Sequence, residues 1–232
     1  MLITAPPGSA ATSPWTLVLT DNFKGRSLDL TKWYEPYDSP SHHWKRSQAS
    51  VANGMLTIDA ARQSDAKWWS TGVNGGWGLR QTYGMYNVRL RMDAGRGISD
   101  ALMLFPVAGC WPPEIDLAES AGHDSYSRPS HSGFLHYRGP GGCSDDKRLD
   151  AGTVHADFTR WHTIGVRWRP GRLLYTLDGA VWSTIVSSHV PNQPAELVIQ
   201  TQSCNGICPD ATTPAHVRLQ VDWVRVFAYT PP

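Results

Sequence analysis

Glu114, Asp116 and Glu119 stand within six residues of one another in the stretch WPPEIDLAES, residues 111–120. Carboxylates this close raise one another's proton affinity, because like charges a few ångströms apart resist ionising together. Such crowding is costly unless the charge states are used. Glycoside cleavage uses them directly. One carboxylate attacks the anomeric carbon while a second, kept protonated by its neighbours, gives its proton to the leaving oxygen.

Regular secondary structure does not gather the three. On a flat strand Glu114 and Asp116 share a face and Glu119 points away. On a helix Asp116 and Glu119 approach each other and Glu114 falls to one side. Two plainer readings compete with a shared site. The prolines at 112 and 113, followed by acidic residues, suit the first turn of a helix. An exposed acidic edge is the other, but Ile115, Leu117 and Ala118 need a core behind them. A β-bulge near Leu117–Ala118 resolves the spacing, since one extra residue shifts the alternation and returns Glu119 to the face of Glu114 and Asp116.

The elements around this stretch read as strands. Tyr86, Val88, Leu90 and Met92 alternate with Asn87, Arg89 and Arg91, the pattern of a half-buried strand. RPGR at 169–172 separates two apolar runs as a hairpin turn, and the Asp178-Gly179 pair marks a second, tight one. Segments 36–41, 72–78 and 139–152 are rich in Gly, Pro, Ser and Asn and read as surface loops. No repeat, composition shift or long amphipathic helix interrupts the series. Many short strands without intervening helices specify an all-β fold, a sandwich of two antiparallel sheets. One domain is expected over 15–232, after a disordered or processed segment over 1–14.

Composition narrows the partners. A formal net charge of +1 over 232 residues lacks the basic excess of a nucleic-acid or anionic-membrane binder. No apolar run approaches a membrane span. Eleven tryptophans and eight tyrosines serve equally as core or as flat ligand platforms. Cys110, Cys143, Cys204 and Cys208 allow three pairings; Cys204–Cys208 as a local staple and Cys110–Cys143 as a tie between loops are favoured over a metal site, whose CxxC spacing is absent. Disulfides imply an oxidising compartment, hence a secreted protein.

EIDLAE resembles the E-x-D-x-x-E active-site strand of glycoside hydrolase family 16, which includes laminarinases, agarases and κ-carrageenases. Lichenases and xyloglucan transglycosylases of that family are typically one residue shorter here. The likeness extends along the chain. DNFKGRSLDLTKW, YGMYNVRLRM, DFTRWHTIGVRWRPGRLLYTLDG and VDWVRVF each resemble a family stretch, in the family's order. The resemblance implies a concanavalin-like jelly-roll β-sandwich with a concave glycan-binding cleft. It also implies retaining hydrolysis with Glu114 as nucleophile, Glu119 as general acid/base and Asp116 hydrogen-bonded between them.

Other positions follow from the same likeness. Trp111 matches a tryptophan beside the scissile sugar, and His136 in FLHYRG a histidine on the adjacent strand. Arg80, Trp77 and Trp69 are candidates to contact glycan, as are Gln200 and Gln202; the plain alternatives are packed aromatics and sheet-edge polar residues. Met103 stands where tryptophan is frequent, and Arg167 replaces a common glutamate. Arg128, Arg138, Lys147 and Arg148 read as a solvated loop, or as an anionic-polysaccharide site if they converge on the cleft. A structural calcium is implied at Asp222, completed by backbone carbonyls near Gly54 and the N-terminal segment; no cofactor is implied for catalysis.

The expected protein is thus a monomeric, endo-acting β-glycanase whose partner is a polysaccharide, most simply β-1,3-glucan, with neither nucleic acid nor membrane involved. A galactan or anionic-polysaccharide hydrolase on the same scaffold is the alternative within enzymes. A lectin-like binding module is the alternative outside them, and it gains little from three adjacent negative charges.

Overall fold

The structure, a computed structural model, describes residues 13–121 and 126–231. The segment expected to be processed, 1–14, lies almost wholly outside the described residues. Among the described residues, fifteen strands form two antiparallel sheets. The larger runs β13(Ala180–Val186), β12(Arg172–Leu177), β11(His162–Arg169), β6(Gly84–Met92), β15(His216–Tyr229), β3(Met55–Arg62) and β2(Ala49–Ala52). To it β1(Trp15–Asp21) adds beside β15 and β4(Trp68–Trp69) beside β3. The smaller sheet runs β10(Gly142–His155), β9(Ser130–Gly139), β8(Glu114–Glu119), β7(Ile98–Pro106), β14(Ala195–Ser203) and β5(Gly72–Asn74). The sequence-level expectation of an all-β sandwich holds.

The reason is the two-residue period of the apolar side chains. Tyr86, Val88, Leu90 and Met92 are fully buried, as are Leu219, Val221, Val224 and Val226 on the neighbouring β15. They meet Leu102, Leu104, Ile115, Leu135, Leu197 and Ile199 from the smaller sheet in one core. Burying such side chains contributes roughly 1.5–3 kcal/mol each. Tyr175 closes the layer, its hydroxyl donating to the Phe134 carbonyl across the two sheets at 2.8 Å. The hairpins form where turn chemistry allows. Arg169 pairs Arg172 around Gly171, whose φ is +66°, and Leu177 pairs Ala180 around Asp178 and Gly179, both left-handed.

The tryptophans divide between roles that composition leaves open. Trp33 and Trp168 are core, with indole N–H groups donating to Asp21 at 2.9 Å and to the Pro191 carbonyl at 3.0 Å. Trp161 and Trp223 lie under arginines on the larger sheet. Both favoured disulfides are formed, Cys110–Cys143 and Cys204–Cys208. Among the described residues, no helix is long and apolar enough to cross a membrane.

Candidate active site

The bulge lies where the carboxylate spacing requires it. Along β7 and β8, Leu102 pairs Ala118 and Met103 pairs Asp116, so Leu117 is extra. Against β9, Asp116 pairs Phe134 and Glu119 pairs Ser132, leaving two residues of β8 opposite one. Leu117 and Ala118 both bury in the core, at 1% and 2% exposure. That pair of inward side chains drives the irregularity, because a regular strand would expose one of them. In consequence Glu119 rejoins the outward face with Glu114 and Asp116.

The trio's electrostatics differ residue by residue. Asp116 is buried, and burial raises its proton affinity well above the usual carboxylate range, helped by the charge and hydrogen bond of Glu114 and the charge of Glu119. Glu119 is raised chiefly by burial, then by the charges of Glu114 and Asp100. Glu114 accepts a hydrogen bond at Oε2 from the Trp111 indole at 2.9 Å. His136 faces the group from β9, with Nε2 3.6 Å from Asp116 Oδ2 and Nδ1 3.0 Å from Asp146. The arrangement favours a proton on Asp116, beside a Glu114 carboxylate that accepts from Trp111.

Aromatic and apolar side chains extend the site. A cleft of about 430 Å³ is lined by Tyr37, Trp44, Met103, Phe105, Trp111, Glu114, Glu119, Val198 and Gln200. Tyr37 and Trp44 lie 4.8 Å apart on the loop before β2 and overhang a floor of Met103 and Val198. Sequence reasoning misses Tyr37, Trp44 and Phe105, although two aromatics in a loop of Pro, Ser and His were a signal. Trp111 is 39% exposed and is tied at its root by Cys110–Cys143. Arg138 adds to the tie by donating to the carbonyls of Pro112 at 2.6 Å and Cys110 at 2.8 Å. Gln202, two residues on from Gln200, lines a neighbouring hollow with His42, His43 and Trp44.

Other expected contacts sit elsewhere. Trp69 lies on β4 beside the larger sheet, its indole turned to Asp65 at 3.4 Å and its ring 5.5 Å from His43, and it is not among the residues lining the cleft. Arg80 pairs with Glu196 at 2.8 Å, and Asn74 donates to the same carboxylate at 2.6 Å. Trp77 opens a short 3₁₀ turn, Trp77–Leu79, and its side chain lies outside the described residues. Of the basic residues of the 128–148 stretch, Arg148 alone is near enough for its charge to act on Asp116. Arg138 is spent on loop carbonyls, Lys147 pairs Asp145 at 2.6 Å, and Arg148 pairs Asp150 at 2.9 Å while covering Phe134.

Arg128 is the sharpest correction to that loop reading. It is fully buried, donating through Nη1 to Ser120 Oγ at 3.0 Å and through Nε to the Asp93 carbonyl at 3.0 Å. Ser120 in turn donates to Asp100, and His131 Nε2 contacts Asp100 at 2.9 Å. Asp100 is one residue before Ala101, the partner of Glu119. A buried charged network therefore backs the end of the carboxylate strand. No motif in the sequence announces it.

Among the described residues, the carboxylate expected to hold calcium is already engaged. Asp222 is half exposed, and its Oδ2 is held by Arg89 Nε at 2.9 Å. A guanidinium occupies the one carboxylate the calcium requires, and a second cation beside it is opposed by charge. Among the described residues the cluster that could gather three metal-ligating side chains is Glu114, Asp116 and His136, which is the carboxylate site itself.

Comparison with known proteins follows the same lines. The sequence pattern of glycosyl hydrolases family 16 matches residues 37–225. The endo-1,3-1,4-β-glycanase ExsH of Rhizobium meliloti is 30% identical over 167 residues, covering 68% of this chain and 35% of that protein. The glucan endo-1,3-β-glucosidase A1 of Niallia circulans is 24% identical, covering 95% of this chain and 39% of the relative. The chain thus spans little more than a third of the length of these curated relatives. The catalytic domain of an endo-1,3-β-glucanase (laminarinase) from Thermotoga petrophila superposes with a TM-score of 0.76 at 22% identity, covering 94% of this chain and 99% of that one. With the pattern matched over most of its length and the sandwich shared, the chain belongs to glycosyl hydrolases family 16.

Proposed function

We propose that residues 15–232 form a single catalytic domain that cleaves internal β-1,3 bonds of a glucan with retention of anomeric configuration. The observation that carries the reading is the bulge at Leu117, which places Glu119 on the face of Glu114 and Asp116. Glu114 attacks the anomeric carbon while Glu119 protonates the departing glycosidic oxygen. A covalent glycosyl–Glu114 forms and the leaving sugar departs. Glu119, now ionised, takes a proton from water, whose oxygen displaces Glu114 and regenerates both groups. Asp116 stays protonated and hydrogen-bonds the nucleophile. Trp111 steadies Glu114 through its indole N–H and offers a flat face to the sugar.

The aromatic lining of the cleft and the names of the relatives support a neutral glucan over an anionic polysaccharide. Every arginine and lysine of the 128–148 stretch is already paired or buried. Two disulfides support export, and exposed apolar side chains scattered over the surface, such as Leu17, Leu30 and Val186, support a monomer.

Incubation with laminarin, mixed-linkage glucan, galactans and a charged polysaccharide tests the reading, with products followed by mass and by proton NMR of the anomeric signal. Laminarin oligosaccharides in the β configuration are expected first. The α-anomer appearing first would refute retention, and no product from any glycan would refute the enzyme. Trp111→Phe keeps an aromatic face and loses the hydrogen bond to Glu114. Its kcat should fall about tenfold, the effect of removing one bond to a charged group; a change in KM alone would mean that Trp111 only binds sugar.

A further inference from the structure

From sequence, the segment after β14 is a loop closed by a local disulfide. In the structure it leads back to Glu119. The Cys204 N–H donates to the Gly97 carbonyl at 3.0 Å, extending β14 beside the start of β7. Cys204 then adopts a left-handed φ of +65°, which turns the chain, and Gly206 turns it again at +85°. Cys208 closes the ring. Beyond it the chain presses on Gly97, where a Cβ would lie 2.1 Å from the Pro209 nitrogen. Arg96 pairs with Asp210 at 2.7 Å, and Thr213 donates to the Arg96 carbonyl at 2.9 Å. Both ends of the loop are thus fastened to residues 96–97, the entry to the strand that pairs with the carboxylate strand.

Next to the first cysteine, Asn205 Nδ2 lies 3.3 Å from Glu119 Oε1. An amide N–H can only donate, so Oε1 must accept. A protonated carboxyl has one good acceptor oxygen, and the proton then resides on the other. We propose that Asn205, presented by the Cys204–Cys208 ring, is a positioning residue for Glu119: it holds Oε1 and leaves Oε2 to carry the proton to and from the glycosidic oxygen. The inference rests on the acid/base reading of Glu119.

The surroundings of Glu119 show why such a donor matters. Burial and the charges of Glu114 and Asp100 raise its proton affinity, and the Asn205 hydrogen bond and the His136 charge lower it. Asn205 is therefore the neutral group that eases ionisation when the proton leaves. Left-handed backbone at a non-glycine residue is strained, and it persists here because the disulfide and Gly97 confine the turn. An open loop would have to order Asn205 at an entropic cost in every cycle.

The test pairs kinetics with a substrate-free measurement. Glu119 is titrated by carbon-13 NMR of glutamate-labelled protein, its resonance identified by its loss in Glu119→Gln. In Asn205→Ala the Glu119 titration should move upward and kcat should fall about tenfold, with KM little changed. Asn205→Asp should move it further, through like charge. The double variant Cys204→Ser/Cys208→Ser should shift it in the same direction, and adding Asn205→Ala to it should add little. An unmoved titration in Asn205→Ala, even with a lowered Tm, would overturn the assignment and leave a merely structural loop. A wild type that cleaves no glycan would instead overturn the glycosidase reading itself.

Discussion

Glu119→Gln is expected to lose about 10²–10⁴ of its turnover on glucan while remaining folded, the range that a general acid contributes. Glu114→Gln should fall further, since no covalent intermediate can form without the nucleophile. The two losses separate chemically. A glycoside with a dinitrophenyl leaving group needs no proton to depart, so Glu119→Gln should still release dinitrophenol in a burst, and Glu114→Gln should not. Equal loss of both substrates in Glu119→Gln would refute its role as acid.

The fold should survive these changes for a reason visible in the charges. Burial, Glu114 and Asp100 raise the proton affinity of Glu119 above its unfolded value. A group raised in this way stabilises the fold fully below its unfolded pKa, and that contribution is lost as pH rises through the folded value. Above that folded value the ionised form costs stability, so Glu119→Gln should gain in melting temperature over wild type as pH rises, and the difference should shrink below about pH 4. Asp116 follows the same sign more strongly, being raised by burial and by both glutamates. A Glu119→Gln melting difference that does not grow with rising pH would contradict this account.

Asp100→Asn is expected to produce the largest loss of stability. Its carboxylate is fully buried and accepts from Ser120 and His131 with the Arg128 guanidinium 4.0 Å away. Removing the charge takes an anion away from the buried Arg128 and His131, and breaking a buried charge pair typically costs about 3–5 kcal/mol. For a chain of this size that corresponds to a Tm lowered by roughly 10 °C. Burial opposes ionisation, but the charge and hydrogen bond of His131, the Arg128 charge and the Ser120 hydrogen bond overcome it and hold the Asp100 carboxyl down to about 2. Its contribution is thus present above the unfolded value near 3.8 and is lost as pH falls toward 2. Wild type should destabilise across that window, and Asp100→Asn should show a flatter profile there. A melting temperature within 2 °C of wild type would mean that the network carries no net stability.

The carboxylate strand was legible because its acidic residues and its packing share one short stretch. Glu114 and Asp116 show a strand's period, and the two apolar residues Leu117 and Ala118 mark where that period must break. Asp222 shows the opposite case. Its motif invites a calcium, but Arg89 on the neighbouring strand takes its carboxylate, and strand neighbours 133 positions apart leave no local mark. Trp69 reads as readily for the cleft as Trp44 does; only the tertiary structure puts Trp44 in the lining and pairs Trp69 with Ala61 of β3.

By itself, then, the sequence determined the sandwich, the bulged strand and the carboxylate trio, since each depends on residue type at short spacing or on a pattern along one strand; it favoured one set of disulfide pairs among three, and the tertiary structure decided it. The tertiary structure decided which side chains surround the trio. Asn205 meets Glu119 across 86 positions, and Asp100 meets Arg128 and His131 behind it, because neighbouring strands of a sheet are set by register and by the closing of the sandwich. Proton affinities in the site depend on those long-range neighbours and on burial, and neither exists until the two sheets have packed.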